Sequence, residues 1–230
     1  MVGAAGGLGH PVDLVIFDCD GVLIDSEALA IRCLVEELRA IGYMIDLDAA
    51  TASFVGQSWT TITEEIEAEW KRPLPKGFAE DIDQRIISLM PEKLRPIDGV
   101  AAMLSGLEKK RCVASSSTMT WIRRGLTTTG LIGHLDPHLF SASMVEKSKP
   151  APDVFLYAAE RMGAATHRVV VVEDSLAGVQ AGVAAGMTVI GFTGGSHIID
   201  ADHGDKLRAA GAGRIVEHMA DLPSLLNGST

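Results

Sequence analysis

Runs of apolar, largely β-branched residues without polar alternation recur along this chain. The clearest are residues 13–18, Val169-Val170-Val171-Val172 and residues 188–192, with shorter ones at 111–114, 139–142 and 214–216. Strands covered on both faces read this way. Between them the apolar period lengthens to that of a helix. Val100, Met103, Leu104 and Leu107 form one stripe, and Val154, Tyr157, Ala158 and Met162 another. A further helix is predicted over 118–129, stopped by Gly130. The helix after Val172 carries Gly178, Gly182 and Gly186, small residues that permit close packing on a sheet. Strand and helix in alternation predict an α/β fold, a doubly wound parallel sheet of Rossmann-like type.

One window breaks the alternation. Residues 26–95 contain no strand-like run. Ile31, Leu34, Val35, Leu38 and Ile41 share a helical face, and helical patterns continue over 46–69 and 77–89, parted by Pro73 and Pro75. The expectation is an inserted all-helical domain at 26–95, with 1–25 and 96–230 forming the α/β core. The window holds thirteen acidic and eight basic residues, so it is not a basic binding surface.

The 230 residues are 47% hydrophobic, enough for a substantial core. A net charge of −10 argues against nucleic acid or an anionic membrane as partner. No apolar stretch reaches the length of a membrane span. Met1 to His10 lacks the marks of a signal peptide; its Gly3, Gly6, Gly7 and Gly9 precede the first strand, so they read as a tail, not a phosphate loop. Cys19, Cys33 and Cys112 show no paired spacing and fall on apolar positions, which points to structural thiols in a reducing, cytoplasmic compartment. Monomer is the default assembly.

The strand ends carry the chemistry. Asp18-Cys19-Asp20-Gly21 follows the first strand, Ser115-Ser116-Ser117 the second, and Glu173-Asp174 the valine run, while Lys149-Pro150-Ala151-Pro152-Asp153 leads into a helix. Sites in open parallel sheets lie beyond the carboxyl ends of the strands. Three carboxylates suit a hard cation such as Mg²⁺, and a lysine with a hydroxyl suits phosphoryl oxygens. Simpler readings stand beside these. Asp-Gly is common in turns, Ser115 could be a helix N-cap with Ser116 and Ser117 competing for either role, and Lys149 could be a surface lysine.

The order Asp-x-Asp-Gly, Ser, Lys-Pro-x-Pro-Asp, Glu-Asp resembles the haloacid dehalogenase superfamily from about Asp13 onward. Val-Ala-Ser-Ser-Ser, Ser-Lys-Pro-Ala-Pro-Asp-Val-Phe and Val-Glu-Asp-Ser-Leu-Ala-Gly resemble its helical-cap branch of small-molecule phosphatases and β-phosphoglucomutase-like proteins. The resemblance implies Asp18 as nucleophile, forming an aspartyl-phosphate, and Asp20 as general acid and base. It implies Ser115, with Ser116 beside it, and Lys149 as phosphate binders. It implies Asp18, Asp20 (through its carbonyl), Asp174 and Glu173 as Mg²⁺ ligands, Glu173 directly or through water. The substrate it implies is a small phosphorylated metabolite, a sugar, polyol or sugar-acid phosphate. Asp20 separates the chain from the superfamily's dehalogenases and phosphonatases. Ala30 stands where the mutases commonly carry histidine, so hydrolysis is favoured over phosphomutase activity. A non-catalytic binding protein would not need this complete residue set.

Gln57, Ser58 and Trp59 fall where related caps present a specificity loop. Trp59 could flank the substrate or pack inside the cap. No basic residue occurs between Arg39 and Lys71, which weighs against a second anionic group on the substrate. Trp70, Trp121, His134 and His138 read as packing or surface residues, and His197, after Gly194-Gly195 at a strand end, as a rim contact.

Overall fold

The computed structural model describes residues 8–227, so the glycines Gly3, Gly6 and Gly7 lie outside the described residues. Six strands form one sheet: β1 (Leu14–Phe17), β2 (Lys110–Ser115), β3 (Leu139–Ser141), β4 (Val169–Glu173), β5 (Thr188–Phe192) and β6 (Arg214–Val216). Their order is β3-β2-β1-β4-β5-β6, and every pairing is parallel. β1 lies between β2 and β4, with Phe17 opposite Val113 on one side and Val172 on the other. Connections leave β1 and β4 in opposite directions across the sheet, and the crevice above this reversal is the standard place for a ligand.

Successive residues of each strand enter different cores. Val15, Phe17, Val113, Val170, Val172 and Ile190 face one helical layer. Leu14, Ile16, Cys112, Ala114, Val169 and Val171 face the other. The absence of alternation in the sequence therefore reflects two buried faces.

Four helices, α1 (Ser26–Ala40), α2 (Leu47–Phe54), α3 (Trp59–Trp70) and α4 (Phe78–Lys93), separate β1 from the remaining strands. Their buried residues, among them Leu34, Leu38, Ile66, Ile82 and Ile86, give them a packed interior of their own that runs on into the first core. The connections in and out pair with each other: Ile24 bridges Pro96, Asp25 N–H donates to Arg95 O at 3.0 Å, and Ile97 N–H donates to Leu23 O at 3.0 Å.

Toward the carboxyl end, α5 (Val100–Gly106), α6 (Met119–Thr128), α7 (Ile132–Leu135) and α11 (Leu222–Leu226) pack on the first face. On the second lie α8 (Asp153–Met162), α9 (Leu176–Ala184) and α10 (His203–Ala210). A Cβ on Gly182 would sit 2.7 Å from Val189 Cγ2, so α9 approaches the sheet closely there, whereas Gly186 is corrected to a turn beyond the helix, at φ +72°, with nothing nearer its Cβ than Thr166 Oγ1 at 3.8 Å.

One further expectation is corrected and one element is added. The single helical pattern over 46–69 is two helices. Val55 leaves helical geometry, Gly56 takes φ +77°, and Ser58 restarts the chain as N-cap of α3, its Oγ accepting from Thr61 N–H. The four-residue α7 was not predicted, because one turn offers no period to read.

Candidate active site

β1 delivers Asp18 to the centre of the sheet's carboxyl edge, where its backbone N–H still donates to Val172 O at 3.0 Å. β4 ends in Glu173 and Asp174. Oxygens of Asp18, Glu173 and Asp174 lie within 4.8 Å of one another, and all three residues are buried. Bare carboxylates do not gather in this way without positive charge.

Lys149 supplies part of that charge. Its Nζ donates to Asp18 Oδ1 and Glu173 Oε1, both at 2.6 Å, and to Ala114 O at 3.0 Å, and it lies 4.8 Å from the centre of the Phe155 ring. The side chain is only 4% exposed, so the surface-lysine reading fails. Burial opposes its charge, yet Asp18 and Glu173 outweigh burial and hold the ammonium group above its ordinary pKa. Burial also raises Asp18, aided by Glu173, Asp174 and Asp20 and opposed by Lys149. One ammonium group among these carboxylates leaves negative charge over, and the hard-oxygen donor set fits a divalent cation.

Glu173 is wedged as well as paired. Its Oε2 accepts from Ser175 N–H at 3.0 Å and Ser175 Oγ at 2.9 Å, and a Cβ on Gly178 would fall 1.8 Å from its Oε1. Asp174 is held from the segment after β5. His197 Nε2 lies 3.1 Å from Asp174 Oδ2, and His203 Nε2 donates to the Asp174 carbonyl at 2.7 Å. Burial lowers the His197 pKa, but its bond to Asp174 and the charges of Asp174, Glu27 and Asp25 raise it overall. Gly21, at φ +77°, completes the turn after Asp20, where a Cβ would strike Asp174 Oδ2 at 1.9 Å.

Asp20 faces the other way. Its Oδ1 accepts from Ser26 Oγ at 2.5 Å and Trp121 Nε1 at 2.8 Å, and its Oδ2 accepts from Ser117 Oγ at 2.7 Å. Trp121 is thus no mere packing residue, and His197 is buried, not on the rim. Neither has a local sequence signal, since Trp121 stands 101 residues from its partner. The adjacent serines separate into distinct roles. Ser115 Oγ accepts from Ser117 N–H at 3.0 Å, Ser116 is exposed, and the N-cap of α6 is Thr118, so the capping reading of Ser115 is corrected.

A profile of the family described as haloacid dehalogenase-like hydrolase matches residues 15–192. The chain belongs to this family. It is 29% identical over 187 residues to the 6-phosphogluconate phosphatase of Escherichia coli K12, covering 81% of this chain and 85% of that protein. A haloacid dehalogenase-like protein of unknown function from Agrobacterium tumefaciens C58 superposes with TM-score 0.87 at 38% identity, covering 94% and 98% of the two chains. A HAD-family hydrolase from Deinococcus radiodurans R1, solved with bound phosphate and sodium, superposes with TM-score 0.80 at 30% identity, covering 92% and 93%.

In this family member a cavity of about 900 Å³ extends from the strand ends to the α1–α4 helices. The structure brings Asp18, Asp20, Ser115, Ser116, Lys149, Glu173 and Asp174 to one end of it, and Gln57, Ser58 and Trp59 to its lining. Trp59 combines both expectations, since it lines the cavity and packs against the buried residues of the helices. It is half-buried at the cavity wall and donates from Nε1 to Asp83 Oδ1 at 2.8 Å. Gln57 is exposed, with Nε2 donating to Ser53 O at 2.8 Å. Glu27, absent from the sequence-derived set, also lines the cavity. Burial pushes its carboxyl up to about 7, with Asp20 and Asp174 adding to the shift and His197 opposing it. All three cysteines are buried and free. Among the described residues no helix is long and apolar enough to cross a membrane.

Proposed function

We propose that this chain is a magnesium-dependent phosphatase of a small phosphorylated metabolite, a sugar, polyol or sugar-acid phosphate, acting through an aspartyl-phosphate on Asp18. The observation that carries the reading is Lys149 Nζ held at 2.6 Å from both Asp18 and Glu173, beside an Asp20 turned away to its own donors. That separates two carboxylates into two tasks.

An Asp18 oxygen attacks phosphorus while the ester oxygen leaves with a proton from Asp20. Asp20 then takes a proton from water, whose oxygen attacks the same phosphorus. Inorganic phosphate departs and the Asp18 carboxylate is restored. Ser26, Ser117 and Trp121 keep the Asp20 carboxyl group aimed through both steps. Lys149 and Ser115 meet phosphoryl oxygens, with Ser116 at the exposed margin. Asp18, Asp174 and the Asp20 carbonyl would hold magnesium, with Glu173 acting mainly through Lys149, since both its oxygens are engaged. Magnesium, when bound, supplies positive charge against the phosphoryl oxygens.

The helices of 26–95 act as a cap, hinged at the paired linkers 24–26 and 95–99, which closes to exclude water during transfer. Ala30 lines the cavity where the mutases commonly place histidine, so water reaches the phosphorylated Asp18 once the leaving group departs. The partner is a small phosphorylated ester, the three buried free cysteines suit a reducing compartment such as the cytoplasm, and a monomer is the default assembly.

The test is phosphate release from a panel of sugar, polyol, sugar-acid and nucleotide monophosphates, with magnesium and after chelation. Release that needs magnesium, with β-glucose 1-phosphate giving no glucose 6-phosphate, is expected. Full activity after exhaustive chelation, or isomer formed faster than phosphate, would remove the proposal.

A further inference from the structure

The two ends of the cavity differ in charge. At the strand ends Lys149 stands among the carboxylates. Toward the α1–α4 helices the lining is acidic and neutral: Glu27 from α1, Asp83 from α4, and Gln57, Ser58 and Trp59 between them. Among the described residues no other lysine and no arginine lines the cavity, and its histidines, His197 and His203, are both engaged with Asp174. None of the eight basic residues of the helical region lines the cavity, and three of them are held elsewhere. Arg85 binds Glu36 and Glu37, Arg39 donates to Ile45 O, and Arg72 lies over the Trp70 ring.

We infer that the cavity accepts monophosphate esters whose remainder is a neutral polyhydroxy chain or ring, or carries an ammonium group, and disfavours esters bearing a second anionic group. This rests on the phosphatase reading above and narrows it. A second anion entering the far end would lose its water and meet Asp83, and Glu27 where it is ionised above about pH 7, with no lysine or arginine to pair it. Hydroxyl groups meet the opposite situation, because carboxylates accept their hydrogen bonds. Asp83 Oδ1 is oriented by Trp59, which leaves Oδ2 as such an acceptor. The chain thus parts from its relative named as a 6-phosphogluconate phosphatase, whose substrate carries a carboxylate besides its phosphate.

The test compares glucitol 6-phosphate, glucose 6-phosphate, glucosamine 6-phosphate and 6-phosphogluconate at one magnesium concentration and low salt. These six-carbon esters share the phosphoryl group and differ in charge at the far end. The kcat/KM for 6-phosphogluconate should fall about tenfold or more below that for glucitol 6-phosphate, chiefly through KM. Gln57→Lys, which places a cation at an exposed position of the lining, should narrow that gap roughly three- to tenfold. Turnover of 6-phosphogluconate equal to or better than the glucitol ester would overturn the inference and leave the phosphatase reading standing. No release from any ester, with p-nitrophenyl phosphate equally inert, would overturn both.

Discussion

Asp20 and Glu27 show how much a carboxylate's surroundings decide its use. Both begin near the first turn after β1, within reach of the same cavity. Asp20 receives three donors, from Ser26, Ser117 and Trp121. For Glu27, burial and the charges of Asp20 and Asp174 outweigh His197 and a backbone hydrogen bond from Gly56, and its carboxyl rises from 4.5 to about 7. A raised acid binds its proton more tightly folded than unfolded. Its contribution to stability is therefore full below about pH 4.5 and is lost as pH rises through about 7. Glu27→Gln removes this titration. In chelator, the variant should be more stable than the parent by about 1–3 kcal/mol at pH 8, relative to the difference at pH 4.5. Denaturant melts at the two pH values measure it, and parallel stability curves would show that Glu27 does not titrate in that window.

At the scale of elements, α9 shows why small residues sit where they do. Gly178→Ala would ordinarily favour the helix by about 1 kcal/mol. Here the new methyl group falls on the Glu173 carboxylate, which Lys149 and Ser175 already fix in place. Displacing it disturbs a buried ion pair, and overpacking of this kind costs about 1–3 kcal/mol, so the clash wins. Gly178→Ala should lower both the melting temperature and phosphate release. Gly106→Ala, with open space at its Cβ, should do neither. A Gly178→Ala protein as stable and active as its parent would refute the packing argument. The same element marks the limit of sequence reading. The valine run of β4, the motif carboxylates and the spacing of Gly178 and Gly182 announce themselves in a short window, so the sheet and its acidic end were legible. Trp121, His197 and His203 were not, because their partners come from other elements and a lone Trp or His carries no periodic signal. The break at 55–58 was hidden for a related reason: apolar spacing continues across it while Gly56 and Ser58 redirect the backbone.

The whole molecule carries a net charge of −10, yet the proposed substrate is an anion. Its field discourages binding everywhere except where the fold concentrates compensating charge, at Lys149 and the cation its carboxylates suit. That point is built from the ends of β1, β2 and β4, the loop before α8 and the segment after β5. No single stretch of sequence makes it, and the parallel sheet brings the pieces together. Everything in the account then converges on one oxygen atom of Asp18. The decisive measurement is the rate of phosphate release by Asp18→Asn under conditions where circular dichroism and a thermal melt show the fold retained. Covalent catalysis through Asp18 predicts a loss of ~10³-fold or more. Near-parental turnover by a folded Asp18→Asn protein would contradict the account.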